Sequence, residues 1–554
     1  MNSLLLTLTI GTLVPIQSTA PAPHERGRAL VRNGDFQGAE ALLRPLVDAN
    51  EGDGVAWLLL GQALRGLERF DEALEGFERA SEVQSLAGRA GFFAGCMYAG
   101  LGDTETALTR IEQAVSAGFQ DRPLLQSAPE LEVLRKDSRL LQLLPPMLEG
   151  AAAFAEKTRV LHTFVGEAAG DQFGWVARPV GDLDGDGAVD FASTAPTHGG
   201  GKGRVYVYSS RSGKLLFTMD GRSGWGLGTS VAGQVDINGD GTPDVLAGAP
   251  SGGNAPGHAV VASGKDGSIL FEVTASEAGD GFGTKVCGIQ DLDGDGCDEL
   301  VVGAMRADAE GKDSGRVYVY SGGRASLMFQ IDGASSGDLF GSSADATRSG
   351  GHNQLIVGAM GAQGGGRAFV YKCDQDGAGL QFTIDPDETG ANLGQYFVTV
   401  LGDVDGDAAP DFYASDWSNS AGGAGAGRVY VHSGASGKNL LTLTGTAAGE
   451  GFGTSAAVCG DVNGDGSADL AIGAWQHSSA APSGGKVYVH SGKDGSLLTA
   501  WTCKQAGDTL GFDAVGLGDV DGDGTVDFLL TSAWSTVRGP RTGRVFLISG
   551  PSLD

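Results

Sequence analysis

Six short stretches of the chain set aspartates at alternate positions with glycines between them. They read "GDLDGDGAVDF" (181–191), "VDINGDGTPDV" (235–245), "QDLDGDGCDEL" (290–300), "GDVDGDAAPDF" (402–412), "GDVNGDGSADL" (460–470) and "GDVDGDGTVDF" (518–528). Their first aspartates, Asp182, Asp236, Asp291, Asp403, Asp461 and Asp519, lie 54 to 58 residues apart, with one double gap between Asp291 and Asp403. A period of this size marks a repeated structural unit rather than a single active site. The gap should hold a seventh unit, and "DATRSGGHN" (345–353) supplies it, with Asp345, Thr347, Ser349, Gly350 and Asn353 read as its oxygens and glycine. One carboxylate remains there, so this loop is expected to bind no cation.

Each unit carries a second signature, of the type "GRVYVYSSRSGKLLFTM" (203–219): an alternating strand, a glycine-rich turn, another strand. Further versions start at Gly257, Gly315, Gly366, Gly427, Gly485 and Gly543. With the apolar stretches on either side of each acidic loop this makes four short strands per unit, and seven such units predict an all-β seven-bladed propeller. The 94 glycines suit many tight turns. The last unit stops at "GRVFLISGPSLD" without its fourth strand, while an unpaired strand of that kind, "VLHTF" (160–164), opens the series. Pairing the two would close the ring and leave no sheet edge.

These units resemble FG-GAP repeats, as in the amino-terminal propeller of integrin alpha chains. The naming pairs stand as Phe173-Gly174, Phe282-Gly283, Phe340-Gly341 and Phe452-Gly453. The second motif stands as Gly248-Ala249-Pro250, with variants at Gly303-Ala304-Met305, Gly358-Ala359-Met360 and Gly473-Ala474-Trp475. The second, fifth and seventh units depart at Phe-Gly, reading "WGLG", "LGQYF" and "GFDA".

Carboxylates crowded into a nine-residue turn repel one another, and an acid/base pair needs two groups in unlike environments rather than one cluster six times over. A hard divalent cation removes the conflict, and calcium accepts six to eight oxygens at flexible angles, whereas transition metals want His or Cys. The pattern is not an EF-hand: its twelfth position is Ser193, Ala247, Val302, Ala414, Ile472 and Leu530, and the closing acid stands at position nine. The resemblance to integrin-like β-hairpin loops implies side-chain ligands from positions one, three, five and nine. In this chain these are Asp182, Asp184, Asp186 and Asp190; Asp236, Asn238, Asp240 and Asp244; Asp291, Asp293, Asp295 and Glu299; Asp403, Asp405, Asp407 and Asp411; Asp461, Asn463, Asp465 and Asp469; and Asp519, Asp521, Asp523 and Asp527. About six calcium ions are therefore expected. Ala408 departs from the glycine found at position six of the other loops.

Upstream, "VAWLLLGQALRGLERFDEALEGFERA" spaces apolar residues at three and four, as a helix does. Gly27, Gly61 and Gly95 recur every 34 residues, as do Ala39, Ala73 and Ala107. This segment resembles tetratricopeptide repeats, with Trp57, Leu60 and Gly61 on a first-helix pattern and Ala73, Phe77 and Ala80 on a second. Pro45 predicts an early end to the first repeat's second helix. The amino terminus has the apolar run and small residues, Ser18 and Ala20, of a secretory leader. The expected organisation is a leader over 1–20, helical repeats over 24–149, a linker over 150–158 and the propeller over 159–554.

The formal charge of −30 argues against nucleic acid or an anionic membrane surface as partner. No later stretch reaches the roughly 20 apolar residues of a membrane span. The six cysteines suit an exported protein, and the sequence does not choose among their pairings. "GASSG" (333–337) mimics a hydrolase nucleophile elbow but falls in an inter-blade turn, and "DWSNS" (416–420) mimics a metal motif of a different fold. His432 and His490 stand where other units have Tyr208 and Tyr320, as scaffold; Trp475 and Trp534, just after post-loop strands, are candidates for packing or for facing a ligand. The resemblance implies an exported binding or adhesion module for a protein or glycan, with the helical repeats holding a second protein. The alternative is an enzyme on extracellular polysaccharide or lipid, since similar calcium loops occur in lyases and beside phospholipase domains.

Overall fold

The computed structural model describes residues 23–551, apart from residues 33, 120, 145, 146, 254, 349 and 456. The leader expected over 1–20, and Ser349, lie outside the described residues. The chain divides into two compact units, one helical and one built of sheets.

In the helical unit three pairs follow one another: Pro23–Arg32 with Phe36–Ala49, Gly54–Gly66 with Phe70–Ser81, and Ala87–Gly100 with Thr104–Ser116. Asp35, Asp53 and Asp103 cap three of these helices by accepting the N–H groups of Gly38, Ala56 and Thr106. The recurring glycines are contact points. A Cβ on Gly61 would stand 2.8 Å from the Phe77 ring, and one on Gly27 or Gly95 would stand 2.7 Å from Leu43 or Ile111. Each pair thus closes on a bulky side chain sixteen positions further on. Contrary to the expectation for Pro45, the helix Phe36–Ala49 runs through it. The lost hydrogen bond to Ala41 is offset by burial of Leu43 and Val47 on either side of the proline.

The second unit consists of seven four-stranded antiparallel sheets. Their first strands, Ala177–Gly181, Ser230–Val235, Phe282–Ile289, Phe340–Ala346, Val398–Val400, Ala457–Val458 and Ala514–Gly518, pack in succession around one axis. The sheets are numbered here as blades 1 to 7 in that order. Blade 7 takes its fourth strand from the start of the series: Val160–Val165 pairs antiparallel with Arg544–Ile548. The ring is closed as the sequence predicts. Second strands such as Asp190–Ala195, Asp244–Ala249 and Glu299–Ala304 are buried along their whole length. The Phe-Gly pairs explain themselves: Phe282 is buried, while Gly283 adopts a φ of +86° and a Cβ there would fall 2.2 Å from the His258 carbonyl oxygen. All six cysteines are free thiols, five of them buried.

The arginine or lysine that opens most third strands bonds, in blades 1, 3 and 4, an acid near the end of the fourth, as Arg204 does with Asp220 at 2.6 Å. Blade 7 borrows its fourth strand and supplies no such acid from it. Arg544 is instead fully buried, donating to Asp508 Oδ2 at 2.6 and 2.9 Å and to the Leu148 carbonyl at 2.7 Å. Arg544→Leu leaves Asp508 as a buried charge without its partner and should cost about 3–5 kcal/mol in urea unfolding; a loss within experimental error would show that the pair is not structural.

His432 and His490 hold the scaffold positions expected of them, each with Nδ1 against a turn carbonyl, Gly437 at 3.1 Å and Gly495 at 2.9 Å. Burial pushes both imidazoles below their ordinary range, against those hydrogen bonds. An unfolded histidine takes up its proton near pH 6.5 while these resist, so stability should fall as pH drops below about 6.5 until the folded values are reached. The double substitution His432→Tyr, His490→Tyr, copying blades 1 and 3, should flatten the melting temperature across that range; an unchanged slope would refute the assignment.

Candidate metal centres on one face of the propeller

Each acidic loop joins the first strand of its blade to the second, so all six lie on the same face. The backbone folds around the position-one aspartate. One of its oxygens accepts the position-six N–H at 2.7–2.9 Å in every loop, from Gly187, Gly241, Gly296, Ala408, Gly466 and Gly524. Position five accepts the N–H of position seven at 2.9–3.0 Å, as Asp186 does from Ala188. Position nine begins the second strand in blades 1, 2, 3 and 7 and immediately precedes it in blades 5 and 6, and it is fully buried in all six copies. Its carboxylate accepts the position-two N–H, as Asp190 does from Leu183 at 2.9 Å. In five blades its other oxygen accepts an N–H of the turn after the third strand, Ser210 in blade 1.

Four loops bring three carboxylates to within 4.8 Å of one another: Asp182, Asp184 and Asp190; Asp291, Asp293 and Asp295; Asp403, Asp405 and Asp411; Asp519, Asp521 and Asp527. Each of these groups can hold a metal ion. The loops of blades 2 and 6 put Asn238 and Asn463 at position three and keep the same hydrogen bonds around Asp236 and Asp461. In blade 3 the longer Glu299 stays outside the cluster of three.

Electrostatics make the crowding costly in the absence of a cation. Burial pushes Asp190, Asp244, Asp411 and Asp527 up to about 6 and Glu299 up to about 8; the backbone N–H groups oppose this, and neighbouring loop carboxylates add to it. Some loop acids have cationic neighbours: Arg159 lies 2.7 Å from Asp521, Arg324 3.1 Å from Asp293, and Lys265 3.1 Å from Asp240. An all-oxygen donor set on a turn of this kind fits a hard divalent cation.

Sequence reading missed Asp298. It is the one acid at position eight, and it accepts N–H groups from both Asp291 at 3.1 Å and Asp236 at 2.9 Å, joining the loops of blades 3 and 2. The consecutive acids of "CDEL" were its signal.

Blade 4 corrects the reading of "DATRSGGHN". Asp345 does not stand in the loop but on the strand Phe340–Ala346, facing Ile356 as Cys287 faces Val301 in blade 3. It pairs with Arg348 at 2.5 Å and accepts the Val400 N–H at 3.0 Å. Gln354 begins the second strand where the other blades have their buried acid, and its Nε2 donates to the Gly434 carbonyl at 3.1 Å. The turn is shortened, so matching oxygens by position in the string displaced Asp345 from its strand. The two motif mimics are structural: Asp416 accepts the N–H groups of Ala391 and Asn392 at 2.9 and 3.0 Å, and Ser335 donates its N–H to Asp338 in the inter-blade turn.

Comparison with known proteins agrees with this geometry. Residues 282–320 and 452–490 match the FG-GAP repeat, 182–247 the FG-GAP-like repeat and 24–91 the tetratricopeptide repeat. Integrin alpha-11 of Homo sapiens is 36% identical over 156 residues, which cover 25% of this chain and 13% of that protein. Integrin alpha-5 of Xenopus laevis is 32% identical over 192 residues, 30% of this chain and 18% of its own length. Phosphatidylinositol-glycan-specific phospholipase D of Bos taurus is 28% identical over 221 residues, 31% of this chain and 26% of that protein. The chain therefore spans a small part of each of these relatives. Fold and matches together define the class: an integrin-alpha-like propeller of FG-GAP repeats, preceded by tetratricopeptide repeats. No described helix is long and apolar enough to cross a membrane.

Ala408 keeps the loop hydrogen bond to Asp403 at 2.9 Å only by adopting a φ of +69°, where the other loops have glycine. Ala408→Gly should relieve about 1 kcal/mol of left-handed strain, net of glycine's greater unfolded-state freedom. Denaturant unfolding in excess calcium should show that gain; a loss of stability would mean that the strain is not carried at this residue.

Proposed function

We propose that the chain is an exported, calcium-stabilised binding or adhesion module. Its acidic loops take about six calcium ions through the side chains at positions one, three, five and nine, and its propeller presents a protein or glycan site on the opposite face. The observation that carries this reading is the buried ninth-position acid, which recurs at one register in six blades beside further loop carboxylates. A single catalytic centre needs no such repetition. Similarity to integrin alpha chains supports binding rather than catalysis, by analogy of fold. The helical repeats are a second protein-interaction surface: a cavity of about 620 Å³ there is lined by Phe36, Phe70, Arg65 and Glu130, among others.

Calcium at tenfold over its dissociation constant stabilises the folded chain by about 1.4 kcal/mol per site, so six sites rival the roughly 5–15 kcal/mol of an ordinary domain. Chelation should lower the melting temperature by many degrees, and calcorimetric titration of the stripped chain should return several ions per molecule. An unchanged melt with no heat of binding would remove the calcium reading. Cleavage of a polysaccharide or of a glycosylphosphatidylinositol substrate by the purified chain would favour the enzymatic alternative, in keeping with the phospholipase D similarity.

A further inference from the structure

The strands that carry the acidic loops at one end carry, at the other, residues that do not repeat. The position after the second strand is Pro196, Pro250, Met305 and Met360 in blades 1 to 4 but Trp417 and Trp475 in blades 5 and 6, and blade 7 places Trp534 one residue further on, after Ala533. The position after the Phe-Gly or Leu-Gly pair is Thr229, Thr284 and Ser342 in blades 2 to 4, but Phe512 in blade 7 and Trp175 in blade 1. These rings form one continuous arc: Trp417 to Trp475 at 6.5 Å between centroids, Trp475 to Trp534 at 4.9 Å, Trp475 to Phe512 at 5.7 Å and Phe512 to Trp175 at 4.8 Å. A cavity of about 300 Å³ lies between this arc and the hydroxyl-bearing wall of blades 2 to 4, with Tyr396, 53% exposed, among its lining. That volume is at the lower end of small-ligand sites, about 300–1,000 Å³.

The charged groups lining the cavity are Arg178 and Lys285, with no carboxylate among its lining residues. Arg178 is spent on Asp513 and on the Ala177 carbonyl. The Lys285 ammonium makes no hydrogen bond or ion pair among the described residues, and the nearby Asp345 is engaged by Arg348 and the Val400 N–H. Burial, with the charge of Arg178, pushes the Lys285 ammonium below its ordinary range. The indole N–H of Trp534 is likewise buried without an acceptor. Aromatic walls alone attract cations, but a cation here would meet Lys285 and Arg178.

We propose that this mouth of the channel binds a carboxylate carried on an aromatic or branched apolar body, with the tryptophan arc covering the body and Lys285 receiving the carboxylate. The proposal rests on the binding-module reading in that it names the chemistry of one ligand; its residues are separate from the acidic loops.

Phenylacetate, phenylacetamide and phenethylammonium are titrated against the calcium-loaded chain by calorimetry, with tryptophan fluorescence in parallel. Phenylacetate should bind saturably and about tenfold or more tightly than either relative. Lys285→Met should abolish that preference without lowering the melting temperature, since the half-buried ammonium makes no hydrogen bond or ion pair in the free chain to be lost. Equal affinities, preference for the ammonium, no saturable binding, or a preference that survives Lys285→Met would each overturn the proposal. N-acetyl-glycyl-phenylalanine is run beside them: tighter binding than phenylacetate assigns the carboxylate to a polypeptide end, weaker binding to a free small acid. Calcium is titrated separately without probe. A chain that takes calcium but no carboxylate leaves the module reading standing and removes this one; a chain that takes the carboxylate but no calcium does the reverse.

Discussion

At the ninth position of six loops a carboxylate with 0% exposure accepts backbone N–H groups, in five blades from two separate turns. The acidic loop and the turn after the third strand are thereby tied at one end of each of those blades. The same carboxylate opens or immediately precedes the second strand, so it also sets where the buried run of that strand begins. Burying the group is unfavourable for its charged form, and three N–H donors do not fully offset this at Asp190, whose pKa is still pushed up to about 6. A divalent cation held in the loop would lower that cost by offsetting the carboxylate charge. On the proposed reading, stability of the ring and cation binding on its acidic face share this one carboxylate.

Blade 4 shows what the ring needs when the charge is taken away. Gln354 replaces the acid, and its side-chain amide donates to a carbonyl of blade 5 instead of accepting from its own turn. The link is neutral and needs no cation. The carboxylate that the sequence retains, Asp345, has moved onto the inner strand, where Arg348 neutralises it. The blade is therefore held by different groups at the same places, and the closed ring tolerates the change because each blade contacts only its neighbours.

Most of this fold was legible because it repeats. Strand order, blade number and the closing of blade 7 by Val160–Val165 follow from counting one motif against another. The helical pairs follow from glycines whose spacing reflects single contacts, such as Gly61 on Phe77. Legibility failed where a residue acts outside its repeat. Pro45 reads as a helix breaker because propensity is local, whereas the packing of Leu43 and Val47 is not. Asp298 supports a loop in the neighbouring blade, a relation that no local pattern encodes. Asp345 was misplaced because a shortened turn shifts register, and in a strand one residue changes the face.

The aromatic arc was the least legible feature, for a related reason. Trp175 and Phe512 lie at opposite ends of the propeller sequence, and only ring closure brings them to 4.8 Å. In the string each is an isolated departure from threonine or serine. In the ring these two departures fall on the adjacent blades 7 and 1, beside Trp417, Trp475 and Trp534 of blades 5 to 7, while blades 2 to 4 keep Thr229, Thr284 and Ser342 at that position. A symmetric channel mouth would treat all orientations of a guest alike. Splitting it into an aromatic half and a half of hydroxyls with one unpaired ammonium gives the mouth a direction, so a ligand with an apolar end and a charged end can enter in only one sense. The repeat supplies the frame, and its departures from symmetry supply the selectivity.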